Sequence, residues 1–178
     1  MALTAGRSAV CTLQQGGVVR MALADRASVA SVTASNGSIT AIVMETSKIF
    51  YEFSFQAETL RFTENGSLEN LSPLFEQRIA GTWQGWSVTD RNALMQLYTS
   101  SACGMVCIAE LENTELVIFG INVDKPTVTD KYVVRMESSA FDSGAAFNDP
   151  IKNDLVLLAR SSSAAGKFMT DWSDVPLS

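Results

Sequence analysis

Hydrophobic and polar side chains alternate along most of this chain, which is the pattern of half-buried β-strands. In KIFYEFSFQ, Lys48–Gln56, every second residue from Ile49 to Phe55 is apolar. FEQRIAGTWQGW, Phe75–Trp86, alternates in the same way, and its two glycines predict bulges or close approach of the backbone. These two segments are the longest strands that the pattern predicts.

Shorter segments extend the β pattern to both ends of the chain. SITAIVME, Ser38–Glu45, follows the dipeptide Asn36-Gly37, which is a strong signal for a hairpin turn. Three more strands are predicted at GVVRMALA, YVVRMES and DLVLLAR. The fold class predicted for the chain is therefore mainly β, a β-sandwich or small barrel.

One segment departs from the period of two. In SVTDRNALMQLYTS the side chains of Leu94, Leu97 and Tyr98 recur at helical spacing and form one stripe. Ser87 or Thr89 can cap the amino end, and an aspartate in the first turn suits the helix dipole. The pattern predicts a single helix of about three turns that packs against one flank of the sheets.

The segment MVCIAELENTELVIFGINV, Met105–Val123, predicts a β-hairpin that is apolar on both faces near its root. Glu110 and Glu112 mark the solvated end, and Asn113 is predicted to take the positive-φ position of the turn. One face can contact the sandwich core. The helix or another subunit is expected to cover the other face.

Two further segments carry more apolar side chains than a free loop would. Residues 57–74 are predicted to form a long docking arm between strands, with a loop folded back on its own sheet as the alternative. Residues 161–178 form a C-terminal extension that is expected to dock in cis or on a neighbouring subunit. The predicted inter-ring or inter-subunit contact residues are Leu60, Arg61, Phe62, Leu68, Leu71, Leu74, Phe168 and Trp172.

Composition narrows the range of partners. The 178 residues fit a single domain, of which 47% are hydrophobic and only 18% charged. Such a charge deficit indicates surface that partners cover, the alternative being an ordinary domain rich in Ser, Thr and Ala. The net charge is −6 without any basic run, so a nucleic-acid grip is not expected. No apolar run approaches bilayer length, and no secretory signal is recognised at the start.

The residue types available argue against catalysis. The chain contains no histidine, which removes the commonest general base and metal ligand. Glu110, Glu112 and Glu115 could supply a glycosidase pair, but the turn of the predicted Met105–Val123 hairpin is solvated and open, so they are expected to form a polar edge. Asp142 and Asp149 with Asn148 lack the spacing of an EF-hand calcium site. Cys107 is expected to be a small buried residue on a strand. No enzyme activity, cofactor or metal site is therefore predicted.

Three stretches carry a resemblance to a known family: AGRSAVCTLQQGGVVRMALAD, ENTELVIFG and SGAAFNDPIKNDLVLLAR. They resemble segments of the small tail tube proteins of bacteriophages, particularly those infecting Bacteroidetes. The resemblance runs from Ala5 to about Arg160. The chain departs from the family pattern at ENTE, where a glycine usually follows the asparagine, and in the turn DPIKND.

The resemblance implies a β-sandwich with a flanking helix that closes into hexameric rings, which stack into a hollow tube for genome delivery. Inner sheets of successive subunits would join into one barrel, and the arm would contact the adjoining ring. Lys48–Gln56 and Phe75–Gln84 would then be the inner strands. The implied lumen-facing residues are Lys48, Glu52, Ser54, Gln56, Glu76, Arg78, Thr82 and Gln84. A wall with few cations would let double-stranded DNA pass without holding it.

The same resemblance implies the partners and the location. The chain would bind copies of itself and, in a virion tail assembled in the cytoplasm of the infected bacterium, sheath, tape measure, baseplate and tail terminator proteins. One alternative is the inner tube of a contractile injection system or tailocin, which moves protein instead of DNA. Others are a virion component such as a head–tail connector or capsid decoration, and a monomeric β-sandwich that binds sugar or protein.

Overall fold

The computed structural model describes most of the chain, and two sheets and one α-helix make up its framework. The described residues are 17–56, 58–85, 87–126, 132–145, 149–168 and 171–177. The strands are β1 Val18–Asp25, β2 Val29–Ser35, β3 Ser38–Met44, β4 Tyr51–Phe53, β5 Arg61–Glu69, β6 Ser72–Gln84, β7 Met105–Leu111, β8 Leu116–Phe119, β9 Arg135–Asp142, β10 Lys152–Ser161 and β11 Gly166–Phe168. The helix α1 is Val88–Cys103, and two short 3₁₀ helices are Arg26–Ser28 and Trp172–Asp174.

The strands divide between a large and a small sheet. The seven-stranded sheet has the order β2-β3-β11-β8-β7-β1-β4, and the four-stranded sheet has the order β5-β6-β10-β9. All pairs in the four-stranded sheet are antiparallel, whereas β11 and β3 pair in parallel in the larger one. The prediction of a mainly β chain with one flanking helix is thus confirmed.

A first core lies between the two sheets. Met21 on β1 and Cys107 on β7 face Ile79 on β6 and Leu157 on β10, and all four side chains are almost completely buried. The alternation predicted for β6 is what places Ile79 and Trp83 on this inner face. The sheets therefore form a sandwich through the faces that their sequences make apolar.

A second core lies on the opposite face of the seven-stranded sheet, which explains why the β7–β8 hairpin is apolar on both sides. Val106 and Ile108 of β7 belong to this core, together with Ile118 of β8. The chain itself supplies the cover, because Phe50 and the C-terminal residues Trp172 and Val175 pack on this face, which the side chains of β2, β3 and β11 continue within the same sheet. The expectation that the helix or another subunit covers this face is wrong.

The helix α1 forms at the predicted place and extends further. The Ser87 side chain accepts a hydrogen bond from the Asp90 amide at 3.1 Å, and the Asp90 carboxylate accepts one from the Ser87 amide at 2.8 Å. This reciprocal capping box satisfies amides that the helix cannot, and the bonds that Ser87 makes to the Asp90 carboxylate lower the pKa of Asp90. Leu97 is buried and Leu94 packs against the first core. The helix continues to Cys103, beyond the predicted three turns.

Two predicted turns have different outcomes. Asn36 and Gly37 both have positive φ and join β2 to β3, as predicted. At the β7–β8 turn the positive φ falls on Thr114, not on Asn113. The Asn113 side chain instead accepts a hydrogen bond from the Glu115 amide at 3.1 Å, so asparagine shapes this turn through its amide group.

The segment before β6 differs from the predicted strand, and the predicted docking arm contains strands of its own. Only Tyr51–Phe53 of the predicted strand Lys48–Gln56 is a strand, and it pairs with β1 at the edge of the larger sheet. Phe50 is buried and Tyr51 is exposed, the reverse of the predicted faces. The described part of the predicted arm, 58–74, is not an unstructured loop, because it contains β5 and the start of β6.

Glycine is required at two close approaches of the backbone. A Cβ at Gly81 would lie 2.5 Å from Cδ1 of Phe55, which confirms the predicted close contact there. Gly104 ends α1 with a φ of +94°, and a Cβ there would lie 2.5 Å from Cβ of Val133. A side chain at Gly81 would displace Phe55 and Leu60 at the first core, and one at Gly104 would displace the buried Val133.

We expect the Gly104→Ala variant to lose about 3 kcal/mol or more of unfolding free energy, because backbone strain and a steric clash act together. Gly37→Ala is the matched control, since Gly37 also has positive φ (+77°) but a Cβ there would meet no described atom within 4 Å. That variant should lose only about 1 kcal/mol. Chemical denaturation measures both, and equal losses would contradict the contact with Val133.

Candidate assembly surface

The outer face of the four-stranded sheet is mostly polar, with Ala80, Ala140, Val156 and Leu158 as its apolar members. Glu76, Arg78, Thr82 and Gln84 of β6 lie on this face, since the alternate residues of the strand point into the first core. The register of the sheet adds residues from the other strands to the same face. These are Arg61, Thr63 and Asn65 of β5, Ser138, Ala140 and Asp142 of β9, and Lys152, Asp154, Val156, Leu158 and Arg160 of β10.

Acidic partners neutralise most of the cations on this polar face. Arg78 pairs with Glu137 at 2.7 Å. Arg160 pairs with Glu76 at 2.8 Å, and Lys152 lies 3.9 Å from Asp142. Cross-strand ion pairs at the surface contribute little to stability, but they cancel the field that would attract a polyanion.

The structure separates the two halves of the predicted lumen-facing row. Glu76, Arg78, Thr82 and Gln84 share the polar face of the four-stranded sheet. The other half, Lys48, Glu52, Ser54 and Gln56, lies in or beside β4 at the edge of the seven-stranded sheet. Among the described residues, one backbone hydrogen bond links the two halves. The Gln56 backbone amide donates to the Thr82 carbonyl at 2.8 Å.

Sequence reasoning missed the contributions of β5 and β10 to the polar face. Thr63 and Asn65 lie inside the segment interpreted as an arm, so their alternation with Phe62 carried no weight. DLVLLAR resembles a core strand because Val156 and Leu158 are apolar, although both lie on the outer face. The charged residues at its two ends, Asp154 and Arg160, are the signal in the sequence for this face.

The β5–β6 hairpin projects beyond the sheet. β10 pairs with β6 only as far as the Ser161–Phe75 pair, whereas β5 and β6 remain paired out to Glu69 and Ser72. We call residues 66–73 the hairpin tip. Its two leucines, Leu68 and Leu71, are 69% and 90% exposed. Burying such side chains is favourable, so the tip is suited to contact a partner.

The other predicted contact residues of the arm are not at the tip. Leu60 is buried in the first core, and Phe62 packs on it with its ring 5.2 Å from that of Phe119. Leu74 is half-buried, and Arg61 lies on the polar face. Only Leu68 and Leu71 are therefore apolar, exposed members of the predicted set.

The C-terminal extension docks in cis. Phe168 pairs with Leu116 through β11, and Trp172 is buried in the second core. The guanidinium of Arg20 lies 4.5 Å from the centre of the Trp172 ring, a cation–π contact. The prediction that Phe168 and Trp172 contact another subunit is corrected accordingly, because their own chain already covers both.

The carboxylates considered for chemistry have structural roles. Asp142 accepts a hydrogen bond from the Gly144 amide, and Asp149 accepts one from the Ala145 amide, each at 3.0 Å. Asn148 of that candidate cation site lies outside the described residues. Within the described ranges, no group of three or more His, Cys, Asp or Glu residues could hold a metal ion. Burial raises the pKa of the Cys107 thiol, which keeps it protonated.

Comparison with known proteins adds no relative. No protein-family model matches the chain, and neither a curated protein nor a solved structure matches it. In the part of the chain that the structure describes, no helix is long and apolar enough to cross a membrane. Function therefore has to be argued from the polar face, the sheet edges and the hairpin tip.

We expect Trp172→Ala to lose about 3–5 kcal/mol of unfolding free energy even in dilute monomer, because the indole is buried within its own chain. Leu71→Ala is the control, and its loss should stay within about 0.5 kcal/mol because the side chain contacts solvent. Denaturation at several protein concentrations separates the two cases. A Trp172 effect that grows with protein concentration would instead place its contacts between subunits.

Proposed function

We propose that the chain is a structural subunit of a phage tail tube, in which hexameric rings stack into a hollow conduit for double-stranded DNA in the virion tail. The observation that carries the proposal is the four-stranded sheet, which has a polar outer face, two open edges and a projecting apolar tip. The resemblance of three sequence stretches to tail tube proteins supports the same conclusion. Together these features suit a subunit that joins its neighbours edge to edge and end to end.

The edges of the four-stranded sheet support ring formation. β5 and β9 each pair on one side only among the described residues. Proteins normally shorten, charge or cover such edges, because an open edge pairs with other chains. Six four-stranded sheets joined edge to edge would make a barrel of about 24 strands, larger than the roughly 16–18 strands at which porins already leave an aqueous channel.

The polar face supports the passage of DNA. In a closed barrel the first core lies outside this sheet, so the polar face would line the lumen. Arg78, Arg160 and Lys152 each have an acidic partner there. DNA binding grows with every unpaired cation that contacts a phosphate, so a wall on which most cations are paired leaves the duplex free to slide. Under this proposal the lumen residues come from β5, β6, β9 and β10, and the row on β4 lies elsewhere.

The hairpin tip supports the stacking of rings. The tip projects along the strand direction, past the end of β10. In a barrel that direction leads towards the next ring, so the exposed side chains of Leu68 and Leu71 would be buried on the neighbour. Tape measure, terminator, baseplate and sheath proteins would contact the bore, the ends or the outer wall of such a tube.

The first test is electron microscopy of the purified chain at high concentration, where we expect rings and hollow filaments. Leu68→Ser/Leu71→Ser should keep the fold and form rings but lose long filaments, because the apolar ring-to-ring contact is gone. Val43→Ser is the control, since Val43 is 54% exposed on β3, away from the tip.

Two outcomes would contradict this interpretation. A wild-type chain that remains a 19.2 kDa monomer at every concentration would exclude the tube. Long filaments from the Leu68→Ser/Leu71→Ser variant would leave the tube but remove the role of the tip.

A second test concerns the charge of the lumen. Glu76→Gln/Glu137→Gln removes the acidic partners of Arg160 and Arg78, so assembled tubes should bind DNA in a salt-dependent way. Each additional phosphate that a freed cation neutralises should add about −0.9 to the slope of log affinity against log salt. Glu45→Gln/Glu52→Gln makes the same change in net charge off the polar face and should leave DNA binding as in the wild type. Equal binding by both variants, measured by fluorescence anisotropy, would mean that the polar face does not line the bore.

A further inference from the structure

The four-stranded sheet favours one register for the junction between neighbouring subunits. We infer that Arg61–Asn65 of β5 pairs in antiparallel fashion with Ser138–Asp142 of β9 in the next copy, so that Thr63 faces Ala140 and Arg61 faces Asp142. The inference rests on the proposed ring and adds to it the two edges that meet and their alignment.

Strand direction allows this junction. The strands of the four-stranded sheet alternate in direction from β5 through β6 and β10 to β9, because every neighbouring pair is antiparallel. β9 of one copy therefore runs opposite to β5 of the next when the two sheets lie side by side. The antiparallel ladder can continue across the boundary without a break.

Helix α1 limits the stretch of β9 that can pair. The Ser101 hydroxyl accepts a hydrogen bond from the Met136 amide at 2.8 Å, and the Arg135 guanidinium reaches the Ala102 carbonyl at 3.5 Å. The end of α1 thus occupies the beginning of β9. Further along, the Tyr98 hydroxyl of α1 lies 2.6 Å from the Ser139 hydroxyl, a side-chain contact that does not use the backbone groups of the edge. The backbone edge beyond the end of α1 is Ser138–Asp142, five residues long, which is close to the usual length of a strand.

The faces of the two strands reduce the alignments to steps of two residues. Arg61, Thr63 and Asn65 lie on the polar face, and so do Ser138, Ala140 and Asp142. A slip by one residue would point each strand's polar face at the core of its neighbour. Thr63 can therefore face Ser138, Ala140 or Asp142.

Charge and apolar contacts favour the alignment in which Thr63 faces Ala140. In that alignment Arg61, which has no ion pair among the described residues, faces Asp142, whose own partner Lys152 is 3.9 Å away. The same alignment places Phe62 opposite Phe141, which is 51% exposed. Such pairs are the contacts that stabilise neighbouring strands.

The two other alignments lose these contacts. With Thr63 facing Asp142, the carboxylate of Glu64 would lie opposite Phe141. With Thr63 facing Ser138, Arg61 would face Ala140 and leave its charge without a partner.

The tilt of a closed barrel gives an independent reason for the same register. A line straight across one sheet runs from Arg61 through Ala80 and Val156 to Ser138. In the inferred register, Ser138 lies opposite Asn65 of the next copy. A line that starts at Arg61 and crosses four strands therefore arrives four residues further along β5, an offset of one residue per strand. One residue per strand is the ratio of an eight-stranded barrel with shear 8, in which strands tilt by about 36°.

The alternatives fit the tilt of known barrels less well. With Thr63 facing Ser138, the line would advance by half a residue per strand, too little for the roughly 35–45° that closed barrels show. With Thr63 facing Asp142, it would advance by one and a half residues per strand. The contacts and the tilt therefore select the same register.

Disulfide trapping tests the register in assembled protein. Cys11→Ser and Cys103→Ser provide the background, and Cys107 can stay because its buried thiol is protonated. Cβ atoms of directly opposite residues lie about 4.5–5.5 Å apart, near disulfide distance, whereas diagonal neighbours lie about 7–8 Å apart. Under mild oxidation, Thr63→Cys/Ala140→Cys should give a covalent ladder that ends at the copy number of the ring. Thr63→Cys/Ser138→Cys, with both cysteines on the same face but diagonal to each other, should give several-fold less.

Charge exchange supplies a second readout. Arg61→Glu and Asp142→Arg should each reduce ring formation, measured by sedimentation, and the double variant should restore it because the pair is re-formed with exchanged signs. Both residues are exposed, so a lost fold would be visible separately by circular dichroism.

The outcomes distinguish the register from the proposed function. Tubes that cross-link through Ser138, or through neither pair, would overturn the register and leave the tube intact. A double charge variant no better than the single variants would also count against the register. A chain that never assembles would overturn both.

Discussion

Burial of the β7–β8 hairpin on both of its faces is the constraint on which the rest of the fold depends. Met105, Cys107 and Ala109 face the first core, while Val106 and Ile108 face the second. A strand that is apolar on both sides must lie in the middle of a sheet and be covered twice. The four-stranded sheet and α1 provide one cover, and Phe50 with the C-terminal extension provides the other.

This double cover determines which surfaces remain for partners. Phe168 and Trp172 are used within the chain, and Phe50 is held to the extension by a 2.8 Å hydrogen bond from its amide to the Pro176 carbonyl. The four-stranded sheet, by contrast, is covered only on its inner face. Its polar face, the β5 edge, the Ser138–Asp142 part of the β9 edge and the hairpin tip are where the proposed assembly contacts lie.

Elements with local sequence signals could be predicted from the sequence. Prediction failed where contacts between residues distant in sequence decide which side chains are buried and which strands pair. Asn36-Gly37 and the Ser87–Asp90 capping box carry their own physical cause within four residues, so the turn and the start of α1 were predictable. Phe50 was predicted to lie on the polar face of its strand, but its ring is buried in the second core. The alternation of residues alone does not show this, because the residues that bury the ring are distant in sequence. The turn at Asn70 and Leu71 has positive φ at both residues although neither is glycine. The sequence therefore lacks the usual signal of a hairpin turn, and the β5 segment was interpreted as part of an arm. The polar row on β6 was predictable, but its partners on β5, β9 and β10 depend on pairing that one strand does not encode.

The hydrogen bond from the Met136 amide to Ser101 has a consequence for the proposed assembly. By occupying one end of β9, the helix leaves five residues, Ser138–Asp142, for the junction, so in the proposed ring a single pair of chains would be joined by few backbone hydrogen bonds. Closure of the proposed ring would change this balance, because the last subunit forms two interfaces but loses its translational and rotational entropy only once. Such assembly would be cooperative, with slow nucleation followed by rapid growth. The subunit would then accumulate unassembled until a template nucleates the tube.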